Sequence, residues 1–414
     1  MNDKNKLTGM LIGLARATYG NEDIITPDTY PVIVRRQWDA INIGEYGNEI
    51  LQNLNVIFLE NEIETSGTCG DNLTWMFDET TGMLTIDGTG DMYDYNYIVE
   101  ETEDGYNYCT TAPWGVYAES ITSLVLSEGI TSIGDFAFTY LENISGELSI
   151  PNSVTKIGQQ AFYGCSSLTG PLVIPDSVTA IETMAFANCY GFANSTLTLP
   201  NNLTDITDSV FSACGFAGEL KLPESTATIG SGAFAMNKFT SLELPEGLLS
   251  IGKGAFHFSS QLTGELVLPD SLTTIGAGAF SICENITSVI FGENLTTFVE
   301  DEWSNALFEG CTSIKEVTFK NPAVAEITSI SNPFNGMTGL ETVYVPADSY
   351  DAYVSAYSQY VDESVVFVAA EQPVEAISGI QADTPETEET QPVTDTPVAE
   401  ATENNATVED TVVA

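Results

Sequence analysis

The side chains that could perform chemistry are few and scattered. His257 is the only histidine of the 414 residues, so any Ser-His-Asp or Cys-His nucleophile system would have to use it. It follows Phe256 at a place where other copies of a repeated pattern carry Tyr163, Ala187 or Ser212. Because such unlike residues share the position, we expect it to be exposed, and no nucleophile-elbow glycines accompany it. The sequence predicts a non-enzymatic protein with no catalytic residues and no cofactor.

The seven cysteines follow a pattern that is unlike a disulfide framework. Five recur at one place in the repeated pattern: Cys165, Cys189, Cys214, Cys283 and Cys311. Zinc sites need Cys and His at short spacings, so the favoured role is a small buried apolar filler, with a soft-metal thiol ladder as the alternative. Cys69 and Cys109 lie outside the pattern, and whether they form a disulfide is left open.

Carboxylates dominate the charge balance. There are 59 acidic residues against 11 Lys and Arg, a formal charge of −48, so we expect no nucleic-acid partner. Asp87, Asp91, Asp94 and residues 100–104 could supply calcium ligands, but neither segment follows an EF-hand loop, so solvated acidic loops are favoured and no metal site is predicted. A polysaccharide hydrolase would need carboxylates that converge in a pocket, and it stays an unfavoured alternative.

These residues are carried by a repeat of about 24 residues, present in about nine to ten copies. Clear copies read LSIPNSVTKIGQQAFYGCSSLTG and LVLPDSLTTIGAGAFSICENITS. A phenylalanine, usually in an Ala-Phe pair, recurs every 22 to 28 residues: Phe138, Phe162, Phe186, Phe211, Phe234, Phe256, Phe280, Phe308 and Phe334. Its ring is expected to fill the middle of each coil.

Each copy also contains two short extended segments. Two apolar residues flank one variable position, as in Leu266-Val-Leu268, and a proline then ends this strand. A V-T-x-I-G stretch follows, in which Gly158, Gly230, Gly252 and Gly276 are expected to permit a bend. No single copy can close a core, so the sequence predicts a β-rich solenoid with stacked ladders of Leu, Ile and Phe.

The pattern IP-x-SVT-x-IG-x-x-AF-x-x-C-x-x-L resembles the BspA-like leucine-rich repeat, a bacterial cell-surface repeat class. The resemblance covers about residues 121–342. The flanking stretches resemble the β-rich segment that often precedes such arrays and the last strand and short helix that close them. The resemblance implies a leucine-rich repeat array with short strands and turns, a β-rich N-terminal cap, a short C-terminal capping helix and an adhesive role at a cell surface.

The predicted domain organisation has five parts. Residues 1–64 read as mixed helix and loop of unknown role, 65–118 as the β-rich cap, 119–345 as the solenoid and 346–370 as the C-terminal cap. Residues 371–414, rich in Glu, Thr and Pro, are predicted to be a disordered acidic tail. No apolar run reaches the roughly 18 to 20 residues of a membrane span.

Two surfaces are candidates for ligand binding. One is the exposed face of the strand stack, for which a plain solvated face is the alternative. The other is a Tyr-rich stretch before the array, in which Trp114 and Tyr117 are interpreted as cap residues. The candidate ligand-binding residues are Glu147, Glu219, Glu243, Glu265, Glu316 and Tyr344 on the strand face, and Tyr93, Tyr95 and Tyr97 in the stretch.

The predicted function is binding or adhesion, with the solenoid presented to host proteins, matrix, glycans or other cells. We expect a monomeric protein that is extracellular or on a cell surface, bound to a protein or glycan on another surface. The sequence does not indicate its export route. An alternative is an adhesion protein attached to a virion or another assembly through residues 1–64.

Overall fold

The computed structural model describes residues 64–102, 105–299, 306–324, 326–327, 334–370 and 379–381, with the backbone alone at 100–102, 105–107, 326–327 and 379–381. The predicted mixed helix and loop of residues 1–63 lies outside the described residues, as does most of the predicted acidic tail.

A small antiparallel sheet begins the described chain. Its strands alternate buried and exposed residues, so that Leu73, Trp75 and Phe77 face inward along one strand. A separate hairpin and a 3₁₀ helix, Pro113–Tyr117, follow the sheet. The six strands of this region are β1 (Ser66–Thr68), β2 (Leu73–Asp78), β3 (Met83–Gly88), β4 (Gly90–Asp91), β5 (Tyr97–Thr102) and β6 (Gly105–Thr110).

A β-solenoid of about nine turns follows, as the sequence predicts. The L-x-L segments lie on one side, called here the strand face, where most of them pair in parallel with a neighbouring coil. The first of these strands pairs with β3, which joins the cap to the array. The strands of this side are β7 (Ser123–Leu126), β10 (Leu172–Val173), β12 (Leu197–Thr198), β14 (Ala217–Lys221), β16 (Lys238–Glu243), β18 (Thr263–Val267), β20 (Asn285–Phe291), β22 (Glu316–Phe319), β24 (Thr342–Pro346) and β25 (Val366–Ala370).

The V-T-x-I segments form a second set of parallel strands. A single inward isoleucine from each of most coils, such as Ile229 or Ile251, builds a buried ladder. These strands are β8 (Ile130–Ile133), β9 (Lys156–Ile157), β11 (Ala180–Ile181), β13 (Asp205–Ile206), β15 (Thr228–Ile229), β17 (Ser250–Ile251), β19 (Thr274–Gly276), β21 (Thr297–Val299) and β23 (Glu326–Ile327).

The Ala-Phe turns stack their rings through the middle of the solenoid. From Phe138 to Phe308, successive ring centroids are 5.2 to 5.7 Å apart and nearly parallel. The rings are fully buried, which confirms the predicted ladder. Offset aromatic contacts of this kind add stability to the burial of the rings themselves.

Backbone hydrogen bonds join the same turns. The N–H of each phenylalanine from Phe138 to Phe280 donates to a carbonyl of the next coil, at 2.8 to 3.1 Å. The residue two positions later has a left-handed backbone and also donates to the next coil, as Met236 does to His257 O at 2.7 Å. The turns are therefore bonded between coils as regularly as the strands are.

The N-terminal cap copies one rung of this ladder. Trp114 stacks on Phe138 with centroids 5.5 Å apart, and its indole Nε1–H donates to Ala137 O at 2.9 Å. A preceding coil would offer that carbonyl a phenylalanine N–H. The interpretation of Trp114 and Tyr117 as cap residues is confirmed, since both are buried and Tyr117 packs on Phe77 of the cap with centroids 4.6 Å apart.

The C-terminal end is covered by the predicted short helix, α1 (Tyr350–Tyr357), between 3₁₀ segments Ala347–Ser349 and Ser358–Tyr360. Tyr357 stacks on Phe319 with centroids 5.7 Å apart, and Tyr353 donates its hydroxyl to Asn321 O at 2.8 Å. Another short 3₁₀ segment lies at Tyr190–Phe192. Among the described residues no helix has the length and apolar character needed to cross a bilayer.

The repeat glycines have a different role from the predicted one. None of Gly158, Gly230, Gly252 and Gly276 has a positive φ, so the bend does not require glycine. A Cβ on each would lie 2.5 to 2.7 Å from backbone atoms of the preceding coil. At these four positions glycine permits the close approach of the preceding coil, whereas Glu182 and Thr207 take the equivalent position in two other coils.

The cysteine ladder is buried as expected, but its thiols also donate hydrogen bonds. Cys165, Cys189, Cys214, Cys283 and Cys311 each donate to the phenylalanine carbonyl of the preceding coil, at 3.0 to 3.3 Å. Burial raises the pKa of Cys189 to about 12, so the thiol stays protonated at neutral pH.

Between Cys165 and Cys311, two coils depart from the cysteine ladder. Asn237 takes the cysteine position in one and donates to both Phe211 O and Phe234 O at 2.9 Å. Ser259 takes it in the next, where its fully buried hydroxyl has no partner among the described residues. The carbonyl that its position would use, Phe234 O, already accepts from Asn237.

The tail contributes one strand, β26 (Gly379–Gln381), which lies antiparallel between β16 and β18. The rest of the predicted disordered tail lies outside the described residues, and its disorder stays a prediction.

We predict that Gly252→Ala lowers the free energy of unfolding by about 1 to 3 kcal/mol, because the added methyl group meets backbone 2.6 Å away. Urea denaturation followed by circular dichroism measures this. Gly247→Ala is the matched control, since its Cβ would have 3.8 Å of clearance, and it should leave stability unchanged or slightly raised. Equal effects of the two substitutions would contradict the close-approach explanation.

We predict that Ser259→Ala increases stability by up to about 1 kcal/mol, since it removes a buried hydroxyl without a partner. Cys283→Ala should instead decrease stability by about 1 kcal/mol or more, because its thiol bond to Phe256 O is lost. Thermal unfolding of both variants compares them. A loss of stability in Ser259→Ala would show that the hydroxyl is satisfied in solution.

Candidate functional site

The single histidine does not assemble a nucleophile system. His257 is half-buried rather than exposed, and its Nδ1 is hydrogen-bonded to the hydroxyl of Ser281. Ser281 is fully buried and donates to Gly278 O at 2.9 Å, so its oxygen cannot reach a substrate. Burial lowers the pKa of His257, while Ser281 and the charge of Glu309 act in the opposite direction. The pair joins two neighbouring coils.

Two of the acidic residues predicted as possible calcium ligands accept hydrogen bonds from the first coil instead. Asp91 accepts from the Thr131 hydroxyl at 2.6 Å, and Asp94 accepts from the Asp135 N–H at 3.0 Å. Asp87 is exposed on β3. Among the described residues no group of three or more His, Cys, Asp and Glu is placed to hold a metal ion.

No disulfide joins Cys69 to Cys109. Cys69 is buried, and burial raises its pKa to about 12. The Cys109 thiol donates to Gly115 O at 3.1 Å instead.

The strand-face glutamates do not form one acidic stripe. In the paired register Glu219 lies beside Ser241, Glu265 beside Ser288, and Ser288 beside Glu316, so hydroxyl residues separate the carboxylates. Glu243 belongs to the neighbouring row and forms an ion pair with Lys221 at 2.5 Å. Glu147 is exposed near the first coils, and Tyr344 is half-buried on β24, between Thr318 and Val368 in the paired register.

The strand face is also less exposed in the middle than the alternation predicts. Val173 is 53% exposed, whereas Val267 and Ile290, at equivalent outward positions, are 1% and 5% exposed. These two residues are neighbours in the β18–β20 pairing. They are therefore not part of an exposed binding face.

The three tyrosines predicted from the cap have three different environments. Tyr93 is exposed and donates to Asp71 at 3.1 Å. Tyr95 is half-buried and packs edge-on against Trp114 with centroids 5.4 Å apart, so it belongs to the cap core. Tyr97 is 44% exposed and lies among other aromatic side chains.

Those side chains form an exposed aromatic strip along the outside of the first Ala-Phe turns. Tyr97 packs near Phe136, with centroids 5.7 Å apart, and near Tyr108 at 6.5 Å. Tyr108 stacks on Tyr140 at 4.9 Å, and Tyr140 packs edge-on against Tyr163 at 5.2 Å. The hairpin β5–β6 thus places two of its rings on the surface of the array.

The strip is extended by hydrogen bonds through one asparagine. Asn188 donates to the Tyr163 hydroxyl at 2.7 Å and accepts from the Tyr190 hydroxyl at 3.0 Å. Tyr190 is 59% exposed. The aromatic strip, as the name is used below, consists of Tyr97, Tyr108, Phe136, Tyr140, Tyr163 and Tyr190.

Four strip residues were not predicted from the sequence. Phe136, Tyr140, Tyr163 and Tyr190 lie in the coils, where the repeat pattern assigns no role to them. For Tyr140 a signal was present, because the position two after the core phenylalanine carries glycine in some coils and a large side chain in others.

That position forms a left-handed row down the turn surface. Its backbone has a positive φ in every coil described, and glycine is the residue that adopts this conformation without strain. The row consists of Tyr140, Gly164, Asn188, Ala213, Met236, Phe258, Ile282, Gly310 and Gly336. Met236 and Phe258 are 53% and 47% exposed, so no burial compensates for their backbone strain.

The repeat that positions these residues matches a known family model, the BspA type leucine rich repeat region, in six copies. The matches cover residues 116–237, 192–306 and 228–362, which together are more than half of the chain. The chain belongs to the BspA-type leucine-rich repeat family. A comparison with curated proteins finds no match.

Several solved structures are similar to this BspA-type protein. A leucine-rich repeat protein from Bacteroides ovatus is 21% identical, with 72% of this chain and 75% of that chain covered and a TM-score of 0.41. A leucine-rich cell surface protein from Faecalibacterium prausnitzii is 20% identical, with coverages of 76% and 98% and a TM-score of 0.37. A pneumococcal vaccine antigen is 15% identical, with coverages of 73% and 98% and a TM-score of 0.36.

Membership of this family is consistent with a protein-binding role, and proteins of this fold are typically non-enzymatic. Solenoids present extended surfaces on which partners bind.

We predict that the His257 imidazole titrates below its usual pKa of about 6.5, because burial disfavours its charged form. Since the folded-state pKa is lowered, the stability contributed by neutral His257 is lost as pH falls through that value. Proton NMR gives a single histidine titration curve. Glu309→Gln should lower the midpoint further and Glu147→Gln should not. A wild-type midpoint at or above 6.5 would contradict the burial.

Proposed function

We propose that this BspA-type protein is a non-enzymatic binding protein whose turn surface contacts a protein partner through the aromatic strip. The observation that carries the proposal is the exposed stack of Tyr97, Tyr108 and Tyr140. Tyrosine is enriched at protein interfaces, where an apolar ring and a polar hydroxyl contribute together.

The geometry of the strip favours a protein over a glycan. Sugars stack on the free faces of aromatic rings, whereas the faces of Tyr108 and Tyr140 are turned toward each other at 4.9 Å. One face of each of these two rings is therefore not available for stacking on a sugar.

The charge of the chain supports a basic partner. With a formal charge of −48, the molecule repels anionic surfaces and attracts cationic ones from a distance. Complementary charge of this kind raises the association rate and is weakened by salt. A basic, Lys- and Arg-rich protein surface is the partner class that this charge favours.

The left-handed row supports a role for the turn surface beyond the strip. Glycine occupies the row at positions 164, 310 and 336, where it is free of strain. Phe258 and the β-branched Ile282 adopt the same conformation at a cost of about 1 to 2 kcal/mol each. Exposed large side chains kept at strained positions fit a surface selected for contact rather than for stability.

The proposal includes an adhesive role at a cell surface or outside the cell. The family match and the cell surface protein from Faecalibacterium prausnitzii are its support. Host proteins, matrix and other cells are the candidate surfaces. Attachment to a virion or assembly through residues 1–64 remains a second candidate with the same outward binding surface.

We predict that Tyr108→Ala weakens binding to a basic extracellular protein at least about tenfold, as loss of a central aromatic contact does. Biolayer interferometry against a panel of matrix and cell-surface proteins, with a glycan array alongside, identifies the ligand and measures the change. Binding should also weaken as NaCl is raised.

Two control variants separate the surfaces. Glu219→Lys and Glu316→Lys change the strand face and should leave affinity within about threefold, after allowance for the altered charge. We expect Phe258→Gly to reduce binding as well. Because glycine adopts the left-handed backbone of residue 258 without strain, this loss would not be due to added backbone strain. Full binding by Tyr108→Ala together with loss in Glu219→Lys would move the site to the strand face and refute the proposal.

A further inference from the structure

One place in the strand face holds an antiparallel strand. The pairs β14–β16, β18–β20, β20–β22, β22–β24 and β24–β25 are parallel and join strands of neighbouring coils or of the C-terminal cap. Between β16 and β18 the antiparallel strand β26 intervenes instead and pairs with both. The sheet therefore contains an opening one strand wide, which the tail of the chain fills.

The opening is confined to the strand face. On the opposite side β15, β17 and β19 stay paired in direct succession, and the rings of Phe234 and Phe256 remain 5.5 Å apart. Strands in a sheet are about 4.8 Å apart, so β26 separates its neighbours by about 9.6 Å where it pairs with both, while other residues of β16 and β18 keep Cα atoms within 8 Å of each other. The two coils thus diverge as a wedge whose closed edge is the phenylalanine ladder.

The register of β26 fits the alternation of the sheet. Ile380 lies opposite Leu242 on one side and Leu266 on the other, and both leucines are buried. Gly379 lies opposite Glu243 and Val267, which occupy the outward positions. An aliphatic residue at the inward register and glycine at the outward one match the local pattern of the two strands.

The tail is long enough to reach this opening within one copy of the chain. Eight residues, 371–378, separate the end of β25 from the start of β26. A fully extended chain from Ala370 to Gly379 would span up to about 30 Å. The strand order places five strand spacings between β25 and β26, or about 24 Å.

An empty opening would leave two exposed strand edges. The facing N–H and C=O groups of β16 and β18 would have no partners in the sheet, and such edges recruit extended chains. Val267, directly beside Gly379 in this pairing, is buried.

We infer that β16 and β18 form an acceptor site for one extended strand, and that residues 379–381 of the same copy occupy it. The tail strand closes the sheet by backbone pairing on both sides and latches the C-terminal end of the chain onto the middle of the array. This site lies on the strand face and does not depend on the proposed role of the turn surface.

Disulfide trapping in the full-length chain tests the inference. Gly379→Cys combined with Glu243→Cys should form a disulfide under mild oxidation, because directly opposed antiparallel residues have Cα atoms within reach of one. Gly379→Cys with Glu219→Cys is the control, since Glu219 lies on β14, beyond β16. The cysteines of the ladder do not interfere, because they are buried and protonated.

Non-reducing denaturing electrophoresis and mass spectrometry distinguish the outcomes. An intramolecular bond in the 243–379 variant, absent or at least about tenfold rarer in the 219–379 variant, supports the inference. Equal cross-linking in both variants, no cross-link in either, or a cross-linked dimer would overturn it. A dimer would place the strand of one copy in the opening of another.

Hydrogen exchange provides a second readout that does not require new cysteines. Ile380→Pro removes the central N–H of the tail strand, and Asp383→Pro alters the chain just beyond it. Exchange at β16 and β18 should be at least about tenfold faster in Ile380→Pro than in Asp383→Pro, with β22 unchanged in both. Unchanged exchange at β16 and β18 would overturn the inference.

Discussion

The contact between one Ala-Phe turn and the next controls most of this structure. Within a spacing of 5.2 to 5.7 Å, stacked rings and backbone hydrogen bonds from each phenylalanine must both fit. That spacing leaves no room for a Cβ at Gly158 or Gly252, and it sets the reach from a cysteine thiol to the carbonyl of the preceding coil. The strand face is more tolerant, since it opens between β16 and β18 while the turns stay together.

The same constraint decides where function can lie. Residues facing the core or the next coil are committed to packing, including the acidic Asp94, the single histidine and the cysteines. Free variation remains at the outward strand positions and on the outside of the turns. The hairpin β5–β6 occupies the outside of the turns, where it brings Tyr97 and Tyr108 beside Tyr140.

The sequence predicted the parts of the fold that repeat. The phenylalanine ladder and the paired short strands follow from spacing and residue type, because each has the same environment in coil after coil. The predicted role of Gly252 in a bend was wrong. A bend within a coil and a close approach between coils both favour glycine, so the sequence alone does not distinguish the two. The bond between His257 and Ser281 was missed because residues 24 positions apart become neighbours only when the coils stack.

The candidate surface was only partly predictable for a related reason. Tyr97 could be named because aromatic residues cluster near it in the chain, whereas Phe136, Tyr140 and Tyr163 are brought to it by the hairpin, which is not part of the repeat. The strand β26 could not be predicted from the sequence. Its three residues have weak strand propensity, and they pair with β16 and β18 at an opening that the repeat pattern does not indicate.

The coil-to-coil bonds also restrict how the length of such a chain can change during evolution. Each turn offers donors to the coil that follows and acceptors to the coil before it, so a whole extra coil inserted between two others restores every bond that it breaks. A few residues inserted near the phenylalanine would instead misalign that rung on both sides. Small length differences, such as the 28 residues from Phe280 to Phe308, are tolerated outside the turn, whereas duplication and deletion of complete units are the changes that the turn itself permits.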